Sequence, residues 1–239
     1  PAELGGRLSS VMEVTTREGN KKKFSASGGI SPITGRLTLE GPLKKGKSSF
    51  LIGGRSTYSD WLLSRVDDPA IKNSDGSFYD VNMHLNHEFN EKSTLDVEAY
   101  FSDDKFRLND DTLYNYNNLT AAAKWRHTFK NKMFGEFTSA YSEYKYRVSS
   151  DDNPIEAMEL TYDIKQLQGK ADFLYFLNDK HSLTFGASMI HYGLQPGSRQ
   201  PLGTDSEQIP KTLQREQALE TALYISDKFD LTPEFTLTV

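Results

Sequence analysis

The sequence predicts an all-β fold of antiparallel strands, and three features of its 239 residues lead to that prediction. Apolar and polar residues alternate with a period of two, the connections fall into two length classes, and helical periodicity is weak. In 80–90, for example, Val81, Met83, Leu85 and Phe89 alternate with polar residues, as in a strand with one apolar and one polar face. About eleven segments are predicted as strands in this way: 22–30, 35–43, 48–58, 80–90, 94–104, 119–129, 132–148, 167–177, 181–195, 216–230 and 233–239.

The connections between these segments alternate between short and long. The long ones far exceed the usual loop length, and 60–66 within the first of them is predicted as a short helix. Every second connection of an antiparallel meander lies at the same end of the sheet, so the short turns are expected at one end and the long loops at the other. The short turns are 44–47, 90–93, 130–132, 178–180 and 230–233, and the long loops are 59–79, 106–116, 149–158 and 196–215.

Composition excludes several classes of protein. There is no cysteine, so neither a disulfide framework nor a cysteine-based zinc site is possible. A net charge of -5 argues against nucleic acid as a partner, because a surface that follows phosphates needs concentrated lysine and arginine. No apolar run approaches the roughly 20 residues of a membrane-spanning helix. The chain opens without a signal peptide and stops inside an alternating segment, so a piece of a longer protein is expected.

The alternation itself is compatible with two architectures. A soluble sandwich or barrel also alternates, and its apolar face is its core. An outer-membrane barrel accounts in addition for a polar face that stays charged, for turns separated by length, and for aromatic girdles. Phenylalanines precede four short turns, which predicts an aromatic belt at that end: Phe89, Phe129, Phe176 and Phe229. The pattern therefore favours an antiparallel transmembrane barrel with short periplasmic turns and long extracellular loops. A soluble all-β carbohydrate-binding or adhesion module remains the alternative.

The first sixty residues add a resemblance to this pattern. The segments PAELGGRLSSVMEVTTREGN (1–20), FSASGGI, GRLTLEGPL and KSSFLIGGRSTYSDWLL resemble the junction between plug and barrel in TonB-dependent outer-membrane receptors, and most closely those of the Bacteroidetes type. The resemblance implies that 1–21 is the C-terminal end of a plug domain. It implies that 22–239 is the N-terminal half of the barrel, about 11 of 22 meander strands.

The resemblance also implies a function and partners. Such receptors carry out active import of a scarce nutrient across the bacterial outer membrane: a siderophore, vitamin, oligosaccharide or peptide. The implied partners are TonB with ExbB and ExbD, acting through the missing N-terminal part, outer-membrane lipid, and a surface lipoprotein in some members. No enzymatic activity and no cofactor are expected, and the sequence contains none of the GxSxG, P-loop or HExxH motifs.

Candidate functional residues lie on the polar face of the predicted strands. Glu40, Arg55, Lys124 and Arg126 are expected to face the lumen, and Glu40 and Arg55 in particular to contact the plug. No metal site is expected: His84 and His87, three apart in a strand, point to opposite faces. The acidic pairs 103–104, 110–111 and 151–152 are interpreted as solvated loop charge. Four tyrosines near the long loops are interpreted equally as a ligand-stacking surface or as an upper girdle: Tyr114, Tyr116, Tyr144 and Tyr146.

Overall fold

The computed structural model describes residues 2, 5, 10–12, 14–67, 74–107, 112–130, 132–232 and 234–239. The acidic pair 110–111 lies outside these residues. One short helix, α1 (Asp60–Leu63), confirms the prediction for 60–66. The strands are β1 (Ser25–Ile30), β2 (Thr34–Lys44), β3 (Ser48–Thr57), β4 (Asp75–Asn90), β5 (Ser93–Arg107), β6 (Leu113–Lys130), β7 (Met133–Ser150), β8 (Met158–Phe176), β9 (His181–Pro201), β10 (Lys211–Thr212), β11 (Glu216–Thr232) and β12 (Phe235–Thr238).

All described strands form one antiparallel sheet in which each strand pairs with its neighbour in the chain. Only the two-residue β10 leaves this path, and it pairs with β9. The five predicted short turns lie at one end of the sheet (the short-turn end) and the long connections at the other (the long-loop end), as predicted. The short connection 31–33 between β1 and β2 lies at the long-loop end. The antiparallel meander of the sequence analysis is confirmed, with one additional short strand.

Several strands are longer than the alternation predicts. β4 begins at Asp75 rather than at 80, and β8 begins at Met158 rather than at 167. The β4 extension carries polar or aromatic side chains on both faces. The β8 extension alternates in the opposite phase, with Leu160 and Ile164 on the face that is polar further along the strand. Backbone pairing nevertheless continues, for example between Tyr146 and Tyr162. The long connections are correspondingly shorter than expected.

The register defines two faces of the sheet. Leu37, Leu39, Phe50 and Ile52 share one face with the odd-numbered residues of β4 to β11, which is called the apolar face below. Glu40 and the even-numbered residues of β4 to β11 share the other, the polar face. The strand-by-strand register carries this division without interruption from β2 to β8. The predicted division of the hairpin 35–58 into two faces is confirmed.

The apolar face has no second layer packed on it within the described part of the chain. The buried hydrophobic residues of the described part lie elsewhere: Leu51 is on the polar face, opposite His84, and Ala157 precedes β8. Large side chains of the apolar face remain open: Leu223 is 86% exposed, Leu167 is 55% exposed and Trp125 is 38% exposed. Phe173 and Leu85 are half-buried among their in-plane neighbours. A closed core between two sheets is therefore not what this sheet forms.

Aromatic rings cluster on the apolar face near the short-turn end. Trp125 stacks on Phe137 at a centroid distance of 5.3 Å, and Phe173 stacks on Phe185 at the same distance. The rings of Phe129 and Phe173 cover Gly135, where a Cβ would lie 2.7 Å from Phe129. Including Phe176 in this belt was wrong. Its register places it on the polar face, where it packs on Phe134.

Among the described residues, no helix has both the length and the apolar content needed to cross a membrane.

Candidate functional site

An extended segment at the N-terminal side of the sheet, residues 14–24 (the entry segment), crosses the polar face near the short-turn end. It has no helix or strand in its described residues. Gly19 is buried there, and a Cβ on it would overlap the backbone carbonyl of Phe50. A backbone approach this close leaves room for glycine alone. The entry segment therefore lies directly on β3.

Glu40 holds the entry segment from β2. Its carboxylate accepts two hydrogen bonds from Arg17, Nη1 to Oε2 at 2.7 Å and Nη2 to Oε1 at 3.1 Å. The backbone N–H of Asn20 donates a third, at 3.0 Å to Oε2. The paired geometry suits the fork of a guanidinium. The hydrogen bond to Glu40 raises the pKa of Arg17 above its ordinary value.

Asp96 on β5 joins the entry segment to the centre of the sheet. Its carboxylate accepts hydrogen bonds from His84 Nε2 at 3.0 Å, Asn86 Nδ2 at 2.7 Å and Arg126 Nη2 at 2.5 Å. Asp96 is only 7% exposed. This convergence of donors compensates the cost of burying a carboxylate.

The donors on β4 reach the entry segment in turn. His84 Nδ1 lies 3.1 Å from the carbonyl oxygen of Arg17, and Asn86 Nδ2 donates to Glu18 Oε1 at 3.2 Å. A continuous set of contacts thus runs from the entry segment to β6, and it is called the junction network below. Its members are Arg17, Glu18, Glu40, His84, Asn86, Asp96 and Arg126.

Lys21 links the entry segment to β4 next to the short turns. Its Nζ lies 2.6 Å from Glu18 Oε2 and 2.5 Å from Glu88 Oε1. Burial lowers the pKa of Lys21, but the hydrogen bonds to Glu18 and Glu88 outweigh that effect and raise it overall. The carbonyl oxygen of Lys21 also accepts from Gly46 N–H at 3.0 Å. The ammonium group therefore stays charged and ties the entry segment to β4.

The four predicted residues occupy different places. Glu40 contacts the entry segment directly, and Arg126 is linked to it through Asp96. Arg55 instead pairs with Asp80 and lies over the ring of Phe78, 5.1 Å from its centroid. Lys124 pairs with Glu136 at 3.3 Å. The structure thus joins two of the four to the entry segment, while Arg55 and Lys124 contact residues of the sheet.

The predicted tyrosines lie on the polar face towards the long-loop end. Tyr116 pairs with Tyr146, and Tyr144 pairs with Asn118, in the same register that places Lys124 opposite Thr138. A girdle at the membrane surface needs the apolar face, so the girdle interpretation of these tyrosines is wrong. Tyr162 on β8 extends their row; its strand was predicted to begin too late to include it.

Within the described part of the chain, no three histidine, aspartate or glutamate side chains are grouped closely enough to hold a metal ion.

Comparison with known proteins identifies the architecture. No family model and no curated protein matches the sequence. Solved structures do match: the copper transporter OprC at a TM-score of 0.69 with 11% identity, over 93% of this chain and 37% of that one. In fold, the sheet matches the β-barrel of TonB-dependent outer-membrane receptors.

Two further structures show the same likeness. The ferripyoverdine receptor of the outer membrane of Pseudomonas aeruginosa matches at a TM-score of 0.65 with 15% identity, over 91% of this chain and 36% of that one. BauA, the ferric preacinetobactin receptor from Acinetobacter baumannii, matches at a TM-score of 0.60 with 12% identity, over 89% of this chain and 39% of that one. The chain therefore spans between a third and two fifths of the length of these structures, and the likeness is one of fold.

Proposed function

We propose that this chain belongs to a TonB-dependent receptor that imports a nutrient across the bacterial outer membrane. It would supply the end of the plug and the first half of the barrel. One observation carries the proposal: an eleven-strand meander leaves its apolar face uncovered. Burying one large aliphatic side chain contributes about 1.5–3 kcal/mol. A sheet that left this face in water would forgo most of that stabilisation, so a non-aqueous surrounding is required.

The apolar face has the dimensions of a bilayer core. On β8 the apolar stretch of this face runs from Leu167 to Tyr175, and on β6 it runs from Leu119 to Phe129. Transmembrane strands need about 9–11 residues. Beyond this band, towards the long-loop end, the same face carries ion pairs, among them Lys145 with Glu143 at 3.0 Å. A change from apolar side chains to ion pairs along one face is expected where a strand leaves lipid.

The alternative of a soluble all-β binding or adhesion module is disfavoured by the same observation. A sandwich packs the apolar faces of two sheets about 10 Å apart, whereas the described strands form a single sheet. Leu223, at 86% exposure, and Ile225, at 70%, lie on the face that would have to be the core.

The domain bounds and the roles of single residues that we propose are consistent with the junction network. We assign 1–21 to the end of a plug and 22–239 to the N-terminal half of the barrel. Glu40 is the plug contact, which its two bonds to Arg17 support. Arg126 supports the same contact through Asp96. Arg55 and Lys124 are lumenal residues, and the proposed plug contact of Arg55 would involve parts of the plug outside this chain.

The proposed partners are those of the receptor class. TonB with ExbB and ExbD would drive import through the N-terminal part of the protein, outer-membrane lipid would cover the apolar face, and a surface lipoprotein would accompany receptors of the Bacteroidetes type. No enzymatic activity, cofactor or nucleic-acid partner is proposed. The matching structures are a transporter of copper and receptors for ferripyoverdine and ferric preacinetobactin, and none of these ligands is assigned to this chain.

The test uses the full-length protein in its own host. We expect it in the outer-membrane fraction, and we expect growth on its scarce nutrient to be lost both in a strain lacking this protein and in a strain lacking TonB. Recovery of the full-length protein in the soluble fraction, with the apolar face inaccessible to lipid-phase probes, would contradict the proposal.

A further inference from the structure

A row of three tyrosines crosses the polar face near the long-loop end. Tyr116, Tyr146 and Tyr162 are direct cross-strand partners on β6, β7 and β8. The first two rings stack with centroids 4.9 Å apart and planes 22° apart, and the second pair at 5.8 Å and 23°. These three residues are called the tyrosine row below. Because the rings face one another across the strands, their edges and hydroxyl groups point away from the sheet.

Aromatic and apolar side chains surround the tyrosine row on the same face. Tyr144 and Ile164 lie on the side towards the short-turn end, and Phe106 and Tyr114 on the side towards the long-loop end. Phe106 is 47% exposed, Ile164 39%, Tyr162 37% and Tyr144 36%. The entry segment contacts only the opposite end of this face. The surface is therefore open in the described part of the chain, and apolar rings with a few oriented hydroxyls are typical of ligand sites.

The charge of this surface restricts its ligand. The described polar-face positions of 75–80, 102–107, 113–118, 144–150 and 158–164 include no lysine, arginine or histidine. The lysines and arginines within these ranges fall on the apolar face instead, as Lys145 and Arg147 do. Cations reach this end of the polar face only at its border, where Arg199 of β9 lies opposite Leu160 and Lys211 of β10 lies opposite Arg199, among the described residues of β4 to β10. Arg55 of β3 is held by Asp80, and Asp104 adds a carboxylate in the same row as Tyr116. Strongly anionic ligands need arginine or lysine partners, and the tyrosine row and its named neighbours on β5 to β8 offer none.

We propose that the tyrosine row is a ligand subsite for an uncharged, hydroxyl-rich solute of the carbohydrate type. The inference rests on the proposed import function and adds the ligand class to it. A phenol can both donate and accept a hydrogen bond, so it matches a sugar hydroxyl in either role. Three phenol rings with centroids 4.9 and 5.8 Å apart offer a repeated set of such partners, and the exposed side chains of Phe106 and Ile164 beside them can cover the apolar faces of sugar rings.

The test measures binding to the purified full-length protein in detergent. The probes are maltooligosaccharides and cello-oligosaccharides, with an iron tris-catecholate chelate as the anionic comparison, and isothermal titration gives the dissociation constants. We expect binding of a neutral oligosaccharide in preference to the chelate. The double variant Tyr116→Phe/Tyr146→Phe keeps both rings and removes two hydroxyls, so its affinity should fall about 5- to 30-fold.

A matched control separates this effect from folding. Tyr79 lies on the apolar face against Phe101 and is 45% exposed, so Tyr79→Phe should leave sugar binding unchanged. Failure to bind any of the neutral oligosaccharides would overturn the inference, as would binding that the double variant leaves unaltered. Tight binding of the iron chelate without binding of any neutral oligosaccharide would also overturn the inference. Each of these results leaves membrane location and TonB-dependent growth untouched, so failure here is distinguishable from failure of the proposed import function.

Discussion

The two halves of the polar face differ although they lie on the same strands. Towards the short turns, charged side chains converge on Asp96 and Glu40, and the entry segment covers them. Towards the long loops, Tyr116 and Tyr146 stack in a row that the entry segment does not reach. The charged half already has partners within the chain, whereas the tyrosine half exposes groups suited to a ligand. One face thus combines an internal docking surface with a candidate binding surface.

Loss of the buried Asp96 carboxylate should lower the free energy of unfolding more than any of the substitutions that follow. Asp96→Ala leaves His84, Asn86 and Arg126 without their shared acceptor, and breaking a buried, hydrogen-bonded charge costs about 3–5 kcal/mol. The free energy of unfolding, measured with urea on the full-length protein in lipid vesicles, should fall by about that amount.

The matched change in the tyrosine half is Asp104→Ala. Asp104 lies on the same strand and face as Asp96 but has no such set of donors converging on it in the described contacts. Its substitution should lower the free energy of unfolding by less than about 1 kcal/mol. Equal effects of the two substitutions would show that the junction network is not the more stabilising half.

A methyl group at Gly19 should release the entry segment. Its Cβ would overlap the carbonyl of Phe50, and relieving such an overlap costs about 1–3 kcal/mol. Gly19→Ala should therefore speed tryptic cleavage after Arg17 about 5- to 150-fold, measured by mass spectrometry of the digested full-length protein. Gly169→Ala is the control, because a Cβ there meets nothing within 4 Å. Unchanged protection in Gly19→Ala would argue against docking on β3.

Substitutions of the two predicted plug-facing residues, Glu40 and Arg55, should differ in their effect on the rate of tryptic cleavage after Arg17. Glu40→Gln weakens a salt bridge in which Arg17 is 60% exposed, so we expect a loss of about 1 kcal/mol or less and a small rise in cleavage. Arg55→Gln should leave cleavage unchanged, because Arg55 contacts Asp80 and Phe78 and not the entry segment. A larger rise in cleavage for Arg55→Gln than for Glu40→Gln would contradict the described contacts.

The proposed lumenal role of Arg55 can be tested by measuring nutrient uptake. If it faces the lumen and contacts plug residues outside this chain, Arg55→Ala should impair uptake while the barrel still assembles in the outer membrane. Heat-modifiable migration of the full-length protein on gels reports assembly. Loss of assembly in this variant would count against that role.

The strand pattern could be predicted from sequence because it is local. Alternation alone places Leu119 and Trp125 on one face and Lys124 on the other, and the register agrees. The extension of β8 to Met158 was missed because its alternation has the opposite phase: Leu160 and Ile164 lie on the face that is polar further along the strand. Phe176 was misplaced since closeness to a turn was weighed above its even position in the strand.

The junction network could be predicted only in part. Glu40 and Arg126 were predicted because they lie on the polar face of the alternating strands, but their partners depend on which strands pair and in what register. Asp96 meets Arg126 across the β5–β6 pair. Arg17 meets Glu40 because Gly19 allows a close backbone approach. Neither contact follows from periodicity, whereas a glycine between charged residues ahead of the first strand was a signal available in the sequence.

The most direct test of membrane insertion uses the absence of cysteine from these 239 residues, with any cysteine elsewhere in the full-length protein replaced by serine. Single cysteines placed along β8 from Gln166 to Tyr175 in the full-length protein can be spin-labelled after reconstitution into vesicles. Collision with oxygen reports lipid, and collision with a water-soluble nickel chelate reports water. The account predicts a period of two, with the apolar-face positions 167, 169, 171, 173 and 175 accessible to oxygen and the positions between them shielded from lipid. Uniform access to the nickel chelate, or protection of the odd positions from both reagents, would contradict it.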